Sequence, residues 1–298
     1  MKAVRLHQYG DADQLVYEDA PDPAPGPGEV VVDVKAAGVN PMDWKLRSGA
    51  YQAFWQLPMP VTLGADVAGT VAAVGPDVTG LEIGDRVMVM TQMGGYAEKA
   101  KASAAGVAKV PDGLDFTSAA ALPLPGLTAL AEVSALQVKA GDKVLVTGAL
   151  GAIGRVVIHL LQKAGATPVA GVRARQKDDA AVLGVQVVAL DDAAELAAAG
   201  PFDGVADNVG GEVAAATYSH VRKGGRFAAA VGAPANATDD AEVINVQVTG
   251  GAADVRAIAE AALAGAVTIP VTTMPLADAA KAHKLAEAGG AGRIILTP

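Results

Sequence analysis

The chain has 298 residues, 51% of them hydrophobic and 4% aromatic, which suits two globular domains, or one large one, and excludes a disordered polymer. A formal net charge of −9 has the wrong sign for sequence-independent nucleic-acid binding, and the lack of cysteine excludes disulfides, iron–sulfur clusters and thiolate nucleophiles. The charged opening Met1-Lys-Ala-Val-Arg-Leu-His-Gln, with no uncharged apolar run of spanning length, predicts a soluble cytoplasmic protein with no membrane partner.

Residues 1 to about 120 read as a small β-rich, barrel-like domain. Pro21, Pro23, Pro25 and Pro27 form a stiff extended connector. After it, Val30, Val32 and Val34 alternate with Asp33 and Lys35, as in a half-exposed antiparallel strand. Further strands are expected at Val67 to Val74 and Asp85 to Met90, punctuated by Gly75, Gly80 and Gly84. From Ala119 the pattern changes, and Leu122 to Ala131 reads as a loop entering a helix.

Val144, Leu145 and Val146 then form a short continuous apolar run, the signature of a strand buried on both faces of a parallel sheet. Beyond it, Ile153, Val156, Val157, Leu160 and Leu161 fall on one helix face. Gly148, Gly151 and Gly154 sit in the turn between. Without side chains there, a pyrophosphate can approach the backbone and the first-turn N–H groups of the helix. An ordinary turn with helix-packing glycines is the weaker reading, because strand, turn and helix occur in the right order.

The cofactor's identity is read from the end of the second strand. No acidic residue occurs between Gly151 and Lys177, where NAD-specific sites place one for the ribose 2′-hydroxyl. Arg173, Arg175 and Lys177 stand where a 2′-phosphate would lie, which indicates NADP(H); the alternative is solvated charges at a helix start. Later strands are expected near Val185 to Ala189, Phe202 to Ala206, Arg226 to Ala230 and Glu242 to Val248, with helices between most of them, giving a doubly wound sheet. A last helix, Asp278 to Ala288, and a strand, Arg293 to Thr297, are left to return to the first domain. The division expected is 1–122 with 267–298, and 123–266, with the active site in a cleft between the two near the glycine turn.

The motifs Ala37-Gly-Val-Asn40-Pro-Met-Asp43-Trp44, Gly64-Ala-Asp66-Val-Ala-Gly69, Gly84-Asp85-Arg-Val and Gly94-Gly-Tyr96-Ala-Glu98 continue through Gly126-Leu-Thr128-Ala, the glycine turn, Asp207-Asn-Val-Gly-Gly211, Lys223-Gly-Gly-Arg226 and Gly292-Arg-Ile-Ile-Leu. Together they make the chain resemble the zinc-independent quinone oxidoreductase (zeta-crystallin-like) branch of the medium-chain dehydrogenase/reductases. The resemblance implies an α/β chain: a GroES-like β-rich catalytic domain built from both chain ends, plus a Rossmann domain with a doubly wound parallel sheet. It places Asn40 and Thr128 near the nicotinamide, Gly151, Ala152, Ile153 and Gly154 at the pyrophosphate, and Asn208, Val231 and Gly232 along the cofactor's path.

Where metal-dependent relatives carry cysteine and histidine ligands, this chain has Asn40 and Ala65-Asp66. With no cysteine, and with histidine only at 7, 159, 220 and 283, that type of tetrahedral zinc site cannot be assembled, so no metal is expected. His159 and His283 read as helix-surface or packing residues, and Asp43 and Asp66 as structural carboxylates bonded to turn backbone. Leu150 and Ala152 depart from the branch at the turn, as does Leu190, where many members carry a tyrosine against the adenine end.

The chemistry implied is hydride transfer from NADPH to an acceptor that is already electrophilic, a quinone. The alternatives are an enone or 2-alkenal double-bond reductase, and a non-catalytic NADPH-binding protein. Trp44, Tyr51, Phe54 and Trp55 cluster in an aromatic-poor chain and suggest a flat acceptor pocket in which Tyr51 bonds or protonates a developing oxyanion; a hydrophobic cap on the small domain is the other reading. Members of the branch pair edge strands into homodimers, and Val243 to Val248 is the edge expected here.

Overall fold

The computed structural model describes residues 1–289 and 292–298, and the chain divides into two compact units. One is Met1–Leu124 with Gly250–Gly265 and Ile269–Pro298; the other is Pro125–Thr249 with Ala266–Thr268.

The first unit opens with β1 (Lys2–Leu6), β2 (Leu15–Asp19), β3 (Glu29–Gly38), α1 (Pro41–Ser48), β4 (Val61–Thr62), β5 (Asp66–Val74), β6 (Arg86–Met90), β7 (Lys99–Ser103), β8 (Ala108–Lys109) and α2 (Phe116–Ala120). The strand expected at Val30 to Val34 is β3, the hub of the larger sheet, where it pairs antiparallel with β5 and β7. Val30, Val32 and Val34 alternate into one core as expected, while Val31 is buried outside that cluster, so the other face is partly covered too. The β3–β5 register shifts between Val31 and Val32 and between Val34 and Ala36. Val30, Val32 and Val34 of β3, Val67 and Val71 of β5 and Val87 and Val89 of β6, with Leu6, Leu63 and Tyr96, form one core. The paired strands β1 and β2 are not among the elements expected from the sequence.

The chain continues with α3 (Pro123–Leu136), β9 (Lys143–Thr147), α4 (Ala152–Lys163), β10 (Thr167–Val172), α5 (Lys177–Ala180), β11 (Gln186–Ala189), α6 (Ala193–Ala199), β12 (Phe202–Asp207), α7 (Gly211–Tyr218), β13 (Val221–Ala229) and β14 (Glu242–Asn245). The six strands run parallel in the order β11-β10-β9-β12-β13-β14, the doubly wound order of a Rossmann sheet. Leu145, Val169, Val188, Val205 and Phe227 form its core with Leu196 and Tyr218. In α4 the fully buried residues are Gly154, Val156, Val157, Ile158 and Leu161, whereas Ile153 and Leu160 sit at the margin of that face.

The final elements are α8 (Ala252–Leu263), β15 (Val271–Pro275), α9 (Ala279–Ala288) and β16 (Arg293–Thr297). The unit boundary falls after Leu124 rather than 122, and α8 groups with the first unit rather than the second. Its buried face of Val255, Ile258 and Ala259 packs on β8 and β6, and Arg256 Nη1 donates to the Lys109 carbonyl at 3.0 Å. No helix among the described residues is long and apolar enough to cross a membrane.

Candidate active site

In the first unit, Asn40 precedes α1, where Pro41 presets the helical φ and its missing N–H costs nothing. The Asn40 backbone N–H donates to Asp43 Oδ2 at 2.8 Å. Its side chain is committed elsewhere: Nδ2 donates to Asp66 Oδ2 at 2.9 Å, and Oδ1 accepts from Arg293 Nη1 at 2.7 Å. Arg293 Nη2 in turn donates to Asp66, whose other oxygen accepts the Leu124 N–H at 2.6 Å. Asn40, expected near the reacting end, is therefore 3% exposed and held by a buried ion pair. Arg293 stands in the sequence as part of the closing Gly292-Arg-Ile-Ile-Leu motif, without any sign of its partner; in the structure a Cβ on Gly38 would collide with its guanidinium.

Asp43 and Asp66 carry the structural roles expected, each bonded to backbone N–H. Asp43 also accepts the Tyr96 hydroxyl at 2.8 Å. Tyr96 Oη lies 3.3 Å from His283 Nε2, and His283 Nδ1 lies 3.4 Å from Arg47 Nη1. Arg47 is itself buried and donates to Glu287 and to the Gly10 carbonyl. If the hydroxyl donates to Asp43, the ring must donate to it from Nε2 and accept from Arg47 at Nδ1, which fixes one neutral tautomer. His283 is the packing residue expected, edge-on to Tyr96.

These groups predict a pH dependence. Burial raises the Asp43 carboxyl from 3.8 to about 6, so the folded state holds a proton the unfolded state has lost, and stability falls as pH rises through that window. Burial, with Arg47 beside it, lowers His283 from 6.5 to about 3, so stability falls as pH drops through 6.5. Between about pH 4 and 6 the two slopes oppose. Asp43→Asn keeps an oxygen acceptor for Tyr96 and Asn40 but removes the Asp43 slope. Chemical denaturation of this variant from pH 6.5 down to 4 should show a steeper loss of stability on acidification than the wild type.

The four aromatic residues are not enclosed together. Tyr51 packs against the core of the first unit, Trp44 is half-buried with Lys45 Nζ 5.6 Å above its ring, Trp55 is 39% exposed and Phe54 92% exposed. A turn throws Phe54 and Trp55 outward, their N–H groups bonded to the Tyr51 carbonyl at 2.9 and 2.8 Å. The structure thus gives Tyr51 a fixed place and leaves Phe54 in solvent.

In the second unit, the glycine turn lies where expected, between β9 and α4 at the carboxyl edge of the sheet. Gly148 has φ +60°, and a Cβ there would touch Asn208 and Val209 at 3.4 Å. A Cβ on Gly154 would stand 2.6 Å from the Gly148 oxygen and 2.7 Å from Ala149 Cα, both backbone atoms. Gly151 occupies the helix N-cap and has no side chain to spend on the first-turn N–H groups of Ala152 to Gly154. Arg155 Nε donates to the Leu150 carbonyl at 3.0 Å, and Nη1 to that of Thr268 at 3.1 Å, a brace that the sequence pattern did not reveal.

At the end of β12, the buried Asp207 carboxylate accepts Thr147 Oγ1 at 2.7 Å and the Gly210 N–H at 2.9 Å. Asn208 N–H donates to Thr147 Oγ1 at 2.9 Å, and its Nδ2 to the Thr147 carbonyl at 3.3 Å. Val231 and Gly232 follow β13, and Val231 lies over Gly210, where a Cβ would meet it at 3.1 Å. Thr128 is buried in α3. Beyond β10, Arg173 and Arg175 are exposed and enter no ion pair among the described residues. Lys177, read with them as a phosphate ligand, instead pairs with Glu195 at 2.7 Å. An acid also reaches this edge: Asp191 Oδ1 accepts the Ala174 N–H at 2.7 Å, arriving from beyond β11 rather than along β10. Leu190 fills the space above Gly171.

Gly151 leaves the first-turn N–H groups of α4 without a capping side chain, so this edge has the unspent donor capacity that a dinucleotide's phosphates need. A Rossmann sheet with that turn, in a chain that also carries a GroES-like unit, defines a dinucleotide-dependent oxidoreductase fold.

Comparison with known proteins agrees. The family described as "Alcohol dehydrogenase GroES-like domain" matches residues 26–112, and that described as "Zinc-binding dehydrogenase" matches residues 151–296. Human quinone oxidoreductase is 39% identical over 168 residues, 55% of this chain, so the match spans about half (50%) of that relative's length. A mycobacterial quinone oxidoreductase structure superposes with a TM-score of 0.85 at 30% identity, covering 100% of both chains. A mycobacterial protein solved with NADPH does so with a TM-score of 0.87 at 30% identity, again covering 100% of both. The chain belongs to the quinone oxidoreductase (zeta-crystallin-like) branch of the medium-chain dehydrogenase/reductases.

Proposed function

We propose that the chain is an NADPH-dependent reductase of a quinone, or of a similarly electrophilic acceptor, that works without a metal. The observation that carries this reading is the cradle at Gly148, Gly151 and Gly154, one strand away from the exposed Arg173 and Arg175. The mycobacterial neighbour solved with NADPH supports the cofactor, and the quinone oxidoreductases among the relatives support the acceptor.

The metal-free reading rests on the donor set. There is no thiolate in the sequence, and the oxygens of Asn40 and Asp66 are already taken by the Arg293 guanidinium and the Leu124 N–H. An acceptor reduced there must be electrophilic without a Lewis acid, as quinones are.

When bound, NADPH supplies a hydride from the nicotinamide C4. The protein's part is to bind, orient and exclude water. Arg173 and Arg175 would hold the 2′-phosphate, the N–H groups of Ala152, Ile153 and Gly154 the pyrophosphate, and Thr128, Asn208, Val231 and Gly232 would line the rest. Lys177 serves mainly to anchor Glu195. Asn40 is a fixed amide on the acceptor side, Tyr51 offers its hydroxyl to a developing oxyanion, and Trp44 and Trp55 give apolar surface, with Phe54 outermost. The reading includes a cytoplasmic homodimer formed on the open edge of β14, whose outer backbone groups have no strand partner in the sheet.

Anaerobic NADPH oxidation with a 1,4-naphthoquinone and a 2-alkenal in parallel, and NADH as control, tests this. Quinone turnover with NADPH preferred supports the reading; saturation of the alkenal alone would move the enzyme to double-bond reduction. The R173A/R175A variant should lose NADPH affinity by about tenfold or more while NADH binding changes little. Equal losses for both cofactors would overturn the 2′-phosphate assignment.

A further inference from the structure

Within α3 the apolar run Leu124 to Leu136 is interrupted by one acidic residue, Glu132. It is fully buried, and neither carboxyl oxygen has a hydrogen-bond partner. Its polar neighbour is Asn208, whose Oδ1 is also buried and unpartnered. These three atoms account for all but one of the unpaired buried side-chain polar atoms among the described residues. The Asn208 amide cannot turn over to relieve this. Nδ2 is spent on the Thr147 carbonyl, and reversal would set oxygen against oxygen.

A carboxylate and a primary amide cannot satisfy one another, because the carboxylate only accepts and would leave Oδ1 facing an anion. A protonated carboxyl can. Its O–H donates to Asn208 Oδ1 while its C=O accepts the second N–H of Nδ2, a cyclic acid–amide pair that satisfies all three atoms after a small side-chain rotation. We propose that Glu132 is a neutral carboxylic acid that positions Asn208, and through it the loop Asp207–Gly211, for the cofactor. The cofactor clause of this inference rests on the function proposed above.

The surroundings agree. Burial drives the Glu132 carboxyl well above the ordinary carboxylate range, and the nearby Asp207 pushes it the same way. Asp207 is the one other titratable group acting on Glu132 among the described residues, and it differs in accepting several N–H and O–H donors. Burial raises Asp207 as well, but donors from Thr147, Val209 and Gly210 favour its charged form, whereas both Glu132 oxygens lack a partner.

The test has two arms. The first is infrared difference spectroscopy of the wild type against E132Q without cofactor, with N208A measured alongside. A protonated-carboxyl stretch present at pH 7, absent in E132Q and shifted in N208A, is the expected result. A carboxylate signal at pH 7, or a band that ignores N208A, would overturn the pairing. The second arm is the NADPH dissociation constant from fluorescence titration between pH 6 and 9. E132Q, whose amide both donates and accepts, should bind within about twofold of the wild type and without pH dependence, whereas E132L should bind about tenfold more weakly. Wild-type affinity in a folded E132L would overturn the positioning role. Failure of the wild type to bind NADPH, with the infrared signature intact, would sink the cofactor assignment and its positioning clause while upholding the neutral acid–amide pair.

Discussion

Replacing Asp66 by alanine should lower the stability of the protein by about 3–5 kcal/mol. Asp66 is fully buried and takes three donors: the Leu124 N–H, Asn40 Nδ2 and Arg293. Its loss strands a guanidinium that is 7% exposed and whose Nε already lacks a partner. An uncompensated buried charge is among the most expensive defects a fold can carry, and here the Asn40 amide and the Leu124 N–H lose an acceptor as well. Burial still outweighs Arg293 at the Asp66 carboxyl, holding it above the ordinary range, so the pair is not strongly stabilising in itself. D66A with R293M should therefore recover most of the loss. Urea unfolding of the singles and the double decides it, and a D66A midpoint equal to the wild type would refute the account of this ion pair.

The second large effect is on ligand binding. Gly154→Val should weaken NADPH binding by roughly a hundredfold or more, because its Cβ would overlap the backbone of Gly148 and Ala149, which cannot give as a side chain could. The strand-to-helix turn must open, and the N–H groups of Ala152 to Gly154 lose their shared aim. Isothermal titration of a variant whose circular dichroism matches the wild type separates this from unfolding. Affinity within about threefold of the wild type would mean that the turn is not where the pyrophosphate sits.

The parts of the molecule legible in the sequence are those governed by local backbone chemistry. The turn at Gly148 to Gly154 needs glycine at fixed spacing, and β9 and α4 declare themselves by a change of period, so all three were readable. Long-range pairing was not. Arg293 opens an apolar strand with nothing near it in sequence to announce Asp66 as partner, and the Gly38 vacancy that admits its guanidinium is visible only in three dimensions. Asp191 lies far along the chain from the end of β10 and reaches it only because β11 pairs alongside. Lys177 looked like a phosphate ligand until Glu195 came within reach. The α8 helix followed the completed parallel sheet and so read as part of it, whereas its apolar face needed the surface of β6 and β8. The aromatic residues misled by their crowding in sequence, which a tight turn converts into divergence.

The ion pair between Asp66 and Arg293 spans 227 residues, and the contiguous stretch Pro125–Thr249 lies wholly inside that interval. During synthesis the parallel sheet is therefore complete while the first unit still holds an unneutralised carboxylate, awaiting β16. The first unit cannot complete this buried charge pair until β16 is made, a late and long-range contact of the kind that slows assembly.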